Sequence, residues 1–175
     1  MRFLGHAGEG AARAAGRLEC LRFSAREVKL VETEVRYHLR PVQMSQDALP
    51  SNRAIYRYFR DTGDAGIDIL FLSLADHLAT RGPHLNISQW QEHAQMVEYV
   101  LCQHFQEESV VHPPKLVSGH DLINVFGMNP GPKIGQILEA VREAQASGEV
   151  TTRQEALSFI EQALASPFLE REAEN

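Results

Sequence analysis

Leu116-Val-Ser-Gly-His-Asp-Leu-Ile-Asn-Val-Phe-Gly-Met-Asn-Pro-Gly-Pro-Lys-Ile-Gly-Gln-Ile-Leu-Glu-Ala-Val141 reads as two short helices joined by a Pro/Gly turn. The second helix opens on Pro130-Gly131-Pro132-Lys133-Ile134-Gly135. A proline near the first helical position is pre-set in φ and gives up an N–H that has no intrahelical partner. Gly131 and Gly135 carry no side chain, so another backbone can approach them closely. A helix N-terminus leaves several N–H groups unsatisfied and carries a partial positive charge, to which Lys133 adds a full one. The turn is therefore a candidate anion seat, with a nucleic-acid phosphate as one candidate occupant.

Working outward, helix-like periodicity continues in both directions. No sustained period-2 alternation and no Asn-Gly or Asp-Gly hairpin interrupts it. Residues from about Ala7 to Leu21 read as an Ala-rich helix whose small residues suit close packing. Ser24-Ala-Arg-Glu27 is a capping box, after which Val28, Val31 and Val35 mark one face until Pro41. Ser51 starts a helix with Ala54, Ile55, Tyr58 and Phe59 on its apolar side. Beyond Thr62-Gly63-Asp64, Ile67, Leu70, Phe71, Leu74 and Leu78 read as the buried stripe of a central core helix. Trp90, Ala94, Val97, Leu101 and Phe105 read as the buried stripe of the next. Gly148 stops the helix that begins near Gly131, and the second capping box, Thr152-Arg-Gln-Glu155, starts the last one. The expected fold class is all-α, an irregular bundle of about seven to nine helices in two sub-modules. His112-Pro-Pro-Lys115 is the candidate boundary, because a residue before proline avoids the helical region. It divides a helical body, 1–111, from a tail module, 112–166, with 167–175 as a disordered tail.

The chain has 175 residues and a formal net charge of -6, with 43% hydrophobic residues. That composition is ordinary for a globular protein and argues against wholesale coating of nucleic acid. A local basic surface survives a negative total because potential depends on clustering. Arg36 and Arg40 flank His38, while Arg53, Arg57 and Arg60 recur at helical spacing. No apolar run nears the roughly 20 residues of a membrane span, and the N-terminus shows no signal-peptide pattern. Cys20 and Cys102 read as free thiols of the core in a reducing compartment, which makes the chain cytoplasmic by expectation.

Signals of catalysis are thin. There is no P-loop, no Cys-x-x-Cys, no Gly-Ser dipeptide and no Asp-x-Asp pair of the kind that holds magnesium for nucleotide transfer. Asp61, Asp64 and Asp68 are spaced as loop and cap residues. Among eight histidines, His6 and His38, together with Asp76, are candidate metal ligands, the alternative being polar helix ends. His120-Asp121 looks like a helix-start cap.

Leu116-Val-Ser-Gly-His-Asp-Leu122, Pro130-Gly-Pro-Lys-Ile-Gly-Gln-Ile-Leu138 and Gly148-Glu-Val-Thr-Thr-Arg-Gln-Glu-Ala-Leu157 together resemble the C-terminal region of bacterial CCA-adding tRNA nucleotidyltransferases and related poly(A) polymerases. Arg53 to Arg60, followed by Asp68 to Ala79 with Leu74-Ala-Asp76, is similar to the arginine helix and the following helix of those enzymes. Gly5-His6-Ala-Gly-Glu-Gly-Ala11, Arg22-Phe-Ser24 and His38-Leu-Arg-Pro41 resemble the middle of the HD-type domain found in part of the family. The His and the His-Asp pair that define an HD metal site have no counterpart in these residues.

The resemblance implies a body and tail that hold tRNA, or another RNA 3′ region, while a catalytic head uses Mg2+ with CTP and ATP. No counterpart of that head is found here, so this chain is expected to need no cofactor and to be inactive alone. Arg53, Arg57 and Arg60 and the turn residues Gly131, Lys133 and Gly135 are the expected RNA contacts. Two other readings stand beside it: an HD-type metal-dependent phosphohydrolase, and a protein-interaction module that forms homo-oligomers through apolar faces left by the missing head.

Overall fold

The computed structural model describes residues 5–44, 49–106 and 108–165. Those residues form ten α-helices and two 3-10 turns, with no strand among them. Eight of the helices have eight residues or more, which matches the expected all-α class. The chain divides into two compact units, Met1–Gln106 and Glu107–Asn175.

In the first unit, α1 (His6–Cys20) packs along α2 (Ala25–Tyr37). The small residues of α1 permit this: a Cβ on Gly10 would lie 3.3 Å from Val35 Cγ1. Ser24 and Glu27 form the expected capping box, each side chain accepting the other's backbone N–H. Pro41 does not end α2. That helix stops at Tyr37, and Pro41 is the buried second residue of a short helix, α3 (Arg40–Met44), where a missing N–H costs nothing. Cys20 is exposed rather than in the core.

Ser51 caps α4 (Asn52–Thr62) by accepting the Ala54 N–H at 3.3 Å. This helix buries Ile55, Tyr56, Tyr58, Phe59 and Thr62. A 3-10 turn leads from it to α5 (Gly66–Arg81). Tyr58 Oη donates to the Gly66 carbonyl at 2.6 Å, and Thr62 Oγ1 to the Tyr58 carbonyl at 2.7 Å. Gly66 allows that closeness, since a Cβ there would lie 2.8 Å from Thr62 Oγ1 and 2.9 Å from Phe59 Cδ1.

α5 pairs with α6 (Ile87–Gln106), and here the expected buried stripes hold at Leu70 and Val97 but miss at Phe71, Leu78 and Phe105. α5 buries Gly66, Ile69, Leu70, Ser73 and His77, and α6 buries His93, Met96, Val97 and Val100. Phe71 and Phe105, read from sequence as core, are 55% and 71% exposed. They line an open groove of about 350 Å³ with Leu74, Ala94, Leu101 and Cys102. Both helices are apolar on more than one side, so periodicity left the facing side undetermined, and Ser73, His77 and His93 are buried beside Leu70 and Val97.

The second unit holds α7 (Glu108–Val111), α8 (Gly119–Phe126), α9 (Pro132–Ala146) and α10 (Arg153–Ala165). Leu122, Ile137, Val141, Ala144, Ala156 and Ile160 form the centre of its core. The His112-Pro-Pro-Lys115 segment lies inside this unit, where the Pro114 carbonyl accepts from Gln145 Nε2 at 2.7 Å. Gly127 and Gly148 end α8 and α9 in the left-handed region, with φ of 64° and 78°. The tail expected at 167–175 lies outside the described residues.

Candidate nucleic-acid interface

Two basic features answer to the sequence expectations, one in each unit. The first is built on α4. Arg53, Arg57 and Arg60 fall on the helix side away from Ile55 and Phe59; Arg57 and Arg60 are exposed and Arg53 is half-buried. Arg60 is already engaged, because its Nε donates to Asp61 Oδ1 at 2.7 Å. The other oxygen of Asp61 takes Arg40 Nη1 at 2.6 Å. The Arg40 guanidinium also stands over the Tyr37 ring, 5.5 Å from its centroid, a cation–π arrangement.

Two guanidinium groups thus share the Asp61 carboxylate. Burial raises the proton affinity of Asp61, and the hydrogen bonds from Arg60 and Arg40 more than offset it, so its carboxyl lies below the ordinary value. Arg40 was visible in the sequence as part of a basic cluster around His38. Nothing local linked it to α4, since 21 residues separate it from Asp61. Arg36 turns to its own helix and pairs with Glu32 at 2.7 Å.

The second feature is the start of α9. Gly131 is the N-cap residue in an extended conformation and makes no side-chain cap, and Pro132 opens the helix. Gly131, Lys133 and Gly135 are all exposed. A Cβ on Gly131 or Gly135 would meet nothing within 4 Å, so packing among the described residues does not demand either glycine. Pro132 has no N–H and the Ile134 N–H already donates to the Gly131 carbonyl at 3.1 Å, so what the helix start offers an anion is chiefly the exposed Lys133.

The flanking motif residues are structural. Ser118 and Asp121 form a capping box at the start of α8, as His120-Asp121 suggested. Sequence reading missed the partner of Asp121. Arg153 Nη2 donates to Oδ1 at 2.6 Å and Nη1 to Oδ2 at 3.3 Å, and Nη1 also reaches the Leu116 carbonyl at 3.1 Å. The Ser-Gly-His-Asp and Thr-Arg-Gln-Glu motifs are thus two halves of one clamp between α8 and α10. Arg153, and then Ser118, hold the Asp121 carboxyl well below the usual carboxylate range.

The candidate metal ligands are only partly brought together. His6 and His38 meet edge to face with ring centroids 5.7 Å apart. His38 Nδ1–H donates to the Val35 carbonyl at 2.7 Å. Asp76 lies on α5. Among the described residues no group of three or more His, Cys, Asp or Glu side chains could hold a metal ion.

Residues 19–160 match the family model described as tRNA nucleotidyltransferase domain 2. The chain belongs to the tRNA nucleotidyltransferase family. It is 37% identical over 164 residues to the CC-adding tRNA nucleotidyltransferase of Thermus thermophilus, covering 91% of this chain and 33% of that protein. To the A-adding tRNA nucleotidyltransferase of Deinococcus radiodurans it is 34% identical over 159 residues, covering 91% of this chain and 35% of that protein. A CC-adding tRNA nucleotidyltransferase of Synechocystis is 26% identical over 149 residues, 85% of this chain and 33% of that protein. The chain thus spans about a third of the length of the curated relatives it matches. No solved structure matches it. No helix among the described residues is long and apolar enough to cross a membrane.

Proposed function

We propose that these residues are the tRNA-holding helical body and tail of a tRNA nucleotidyltransferase. One observation carries the reading. Relatives named CC-adding and A-adding match this chain almost equally, at 37% and 34% identity over 91% of it. A portion common to both names serves what they share, the tRNA, rather than the choice of nucleotide. The reading assigns Mg2+, CTP and ATP to other parts of such an enzyme. By itself this chain then turns over nothing. A cytoplasmic location follows from the partner.

In this reading the α4 cluster and the start of α9 each meet phosphates. Phosphate contacts position a protein without reading sequence. They suit an A-form stem, whose deep groove hides its base edges. The test is a titration of fluorescent tRNA with the whole chain and with the Arg57→Ala and Lys133→Glu variants. Each change is expected to weaken binding by itself and to flatten the salt slope by about 1. Unchanged affinity and slope in both variants would remove these two surfaces from the account.

A protein-interaction reading draws on the open α5–α6 groove with its exposed Phe71 and Phe105. Large exposed apolar patches mark partners. Light scattering decides it: a homo-oligomer that dissociates in Phe105→Glu supports it, and a monomer at high concentration ends it.

A further inference from the structure

Asp61 stands in the last turn of α4, at the end where a helix carries its partial negative charge. A carboxylate is disfavoured there, so α4 by itself gives no reason for it. What Asp61 does is hold a residue from another element. Arg40, the first residue of α3, donates from Nη1 to Asp61 Oδ2 at 2.6 Å. The Tyr37 ring covers the same guanidinium, 5.5 Å from ring centroid to Cζ. Asp61 Oδ1 takes the Arg60 Nε–H at 2.7 Å.

These contacts fix the Arg40 guanidinium without using it up. A guanidinium carries five N–H donors in a rigid fork. Among the described residues Arg40 makes one hydrogen bond with them, the bond to Asp61. Its side chain stays 25% exposed, so the rest of the fork is within reach of a ligand. Arg36, one turn earlier, is held instead by Glu32 on its own helix. A long side chain ordinarily gives up rotamer freedom when it grips a phosphate. Arg40 is already held at one edge by a carboxylate and on one face by a ring, so that cost is met before RNA arrives.

We infer that Arg40 is a further RNA-phosphate contact and that Asp61 is its positioning residue, an acid that helps this chain bind a polyanion. The inference rests on the tRNA-holding reading above. It runs against the plain electrostatic expectation. Asp61 places a negative charge near the phosphates, so if charge alone mattered its removal would tighten binding. If positioning dominates, its removal weakens binding. Asp61→Asn separates the two cases. The amide leaves one oxygen, enough for the Arg60 Nε–H, and sets an NH2 group against Arg40. Arg40 then loses its anchor and returns to many rotamers.

The test titrates fluorescent tRNA with the whole chain at a series of salt concentrations. Wild type is compared with Arg40→Gln, Asp61→Asn and the double variant, and thermal melts show that each is folded at the titration temperature. Arg40→Gln and Asp61→Asn are each expected to weaken binding about tenfold, the worth of one hydrogen bond to a charged group. Each should also flatten the salt slope by about 0.7–0.9, which a merely structural ion pair would not do. The double variant should bind as Arg40→Gln does, because Asp61 acts through Arg40. Equal or tighter binding by Asp61→Asn, or losses that add in the double variant, would overturn the positioning role. Wild-type binding and its weakening in Arg57→Ala would still leave the tRNA-holding reading in place. A wild-type chain that does not bind tRNA ends both. If Asp61→Asn fails to fold, Arg40→Lys decides, since it keeps the charge but not the fork. Weaker binding by that variant supports the inference, and wild-type affinity overturns it.

Discussion

Asp121 shows how one residue can hold a motif together. Its carboxylate accepts the Ser118 backbone N–H and hydroxyl, each at 2.8 Å, and both its oxygens also take Arg153. Its proton affinity is therefore lowered in the folded state. The stability it provides is present above the unfolded aspartate value of about 3.9 and is lost as pH falls below it. Asp121→Asn is expected to lower the melting temperature at pH 7 and to reduce the acid sensitivity of the second unit between about pH 5 and 3. Thermal melts of both chains across that range check this, and parallel pH profiles would refute it. The side chain is exposed enough that salt screens part of the effect. The cap half of this arrangement was legible, since Ser-x-x-Asp before an apolar run is a local signal. The Arg153 half was not, because a contact 32 residues away leaves no local trace. Arg40 escaped for the same reason.

Among the helices, starts and stops were easier to read than facing. Ser24, Ser51 and Ser118 cap α2, α4 and α8 through their own side chains, and Gly127 and Gly148 end α8 and α9. Such residues act within a turn, so sequence carries them. The side that α5 and α6 turn inward depends on what each meets, and there the apolar pattern misled. Val100 is fully buried and Phe105 is 71% exposed, the reverse of what the larger side chain suggests. Val100→Ala should cost about 2–3 kcal/mol, from two lost methyl groups and the cavity they leave. Phe105→Ala should stay within about 0.5 kcal/mol, as surface changes do. Urea unfolding of both variants separates the two facings, and a larger loss for Phe105→Ala would support the facing expected from sequence.

Across the whole molecule, a formal net charge of -6 coexists with a basic cluster on α4 and a lysine at the start of α9. The central claim is that such local charge is enough for this chain to hold tRNA. General attraction to a polyanion is unfavourable for an acidic chain, so binding must come from a few phosphate contacts. The salt dependence of affinity counts them, because each contact steepens the fall of log K with log salt by about 0.7–0.9. The most direct measurement is therefore a titration of tRNA with the whole chain at a series of salt concentrations, with a random single-stranded RNA of equal length as competitor. The account predicts saturable binding to tRNA that the competitor displaces poorly, with a slope worth two or more contacts. No saturable binding at the lowest salt, or equal affinity for both RNAs, would contradict it.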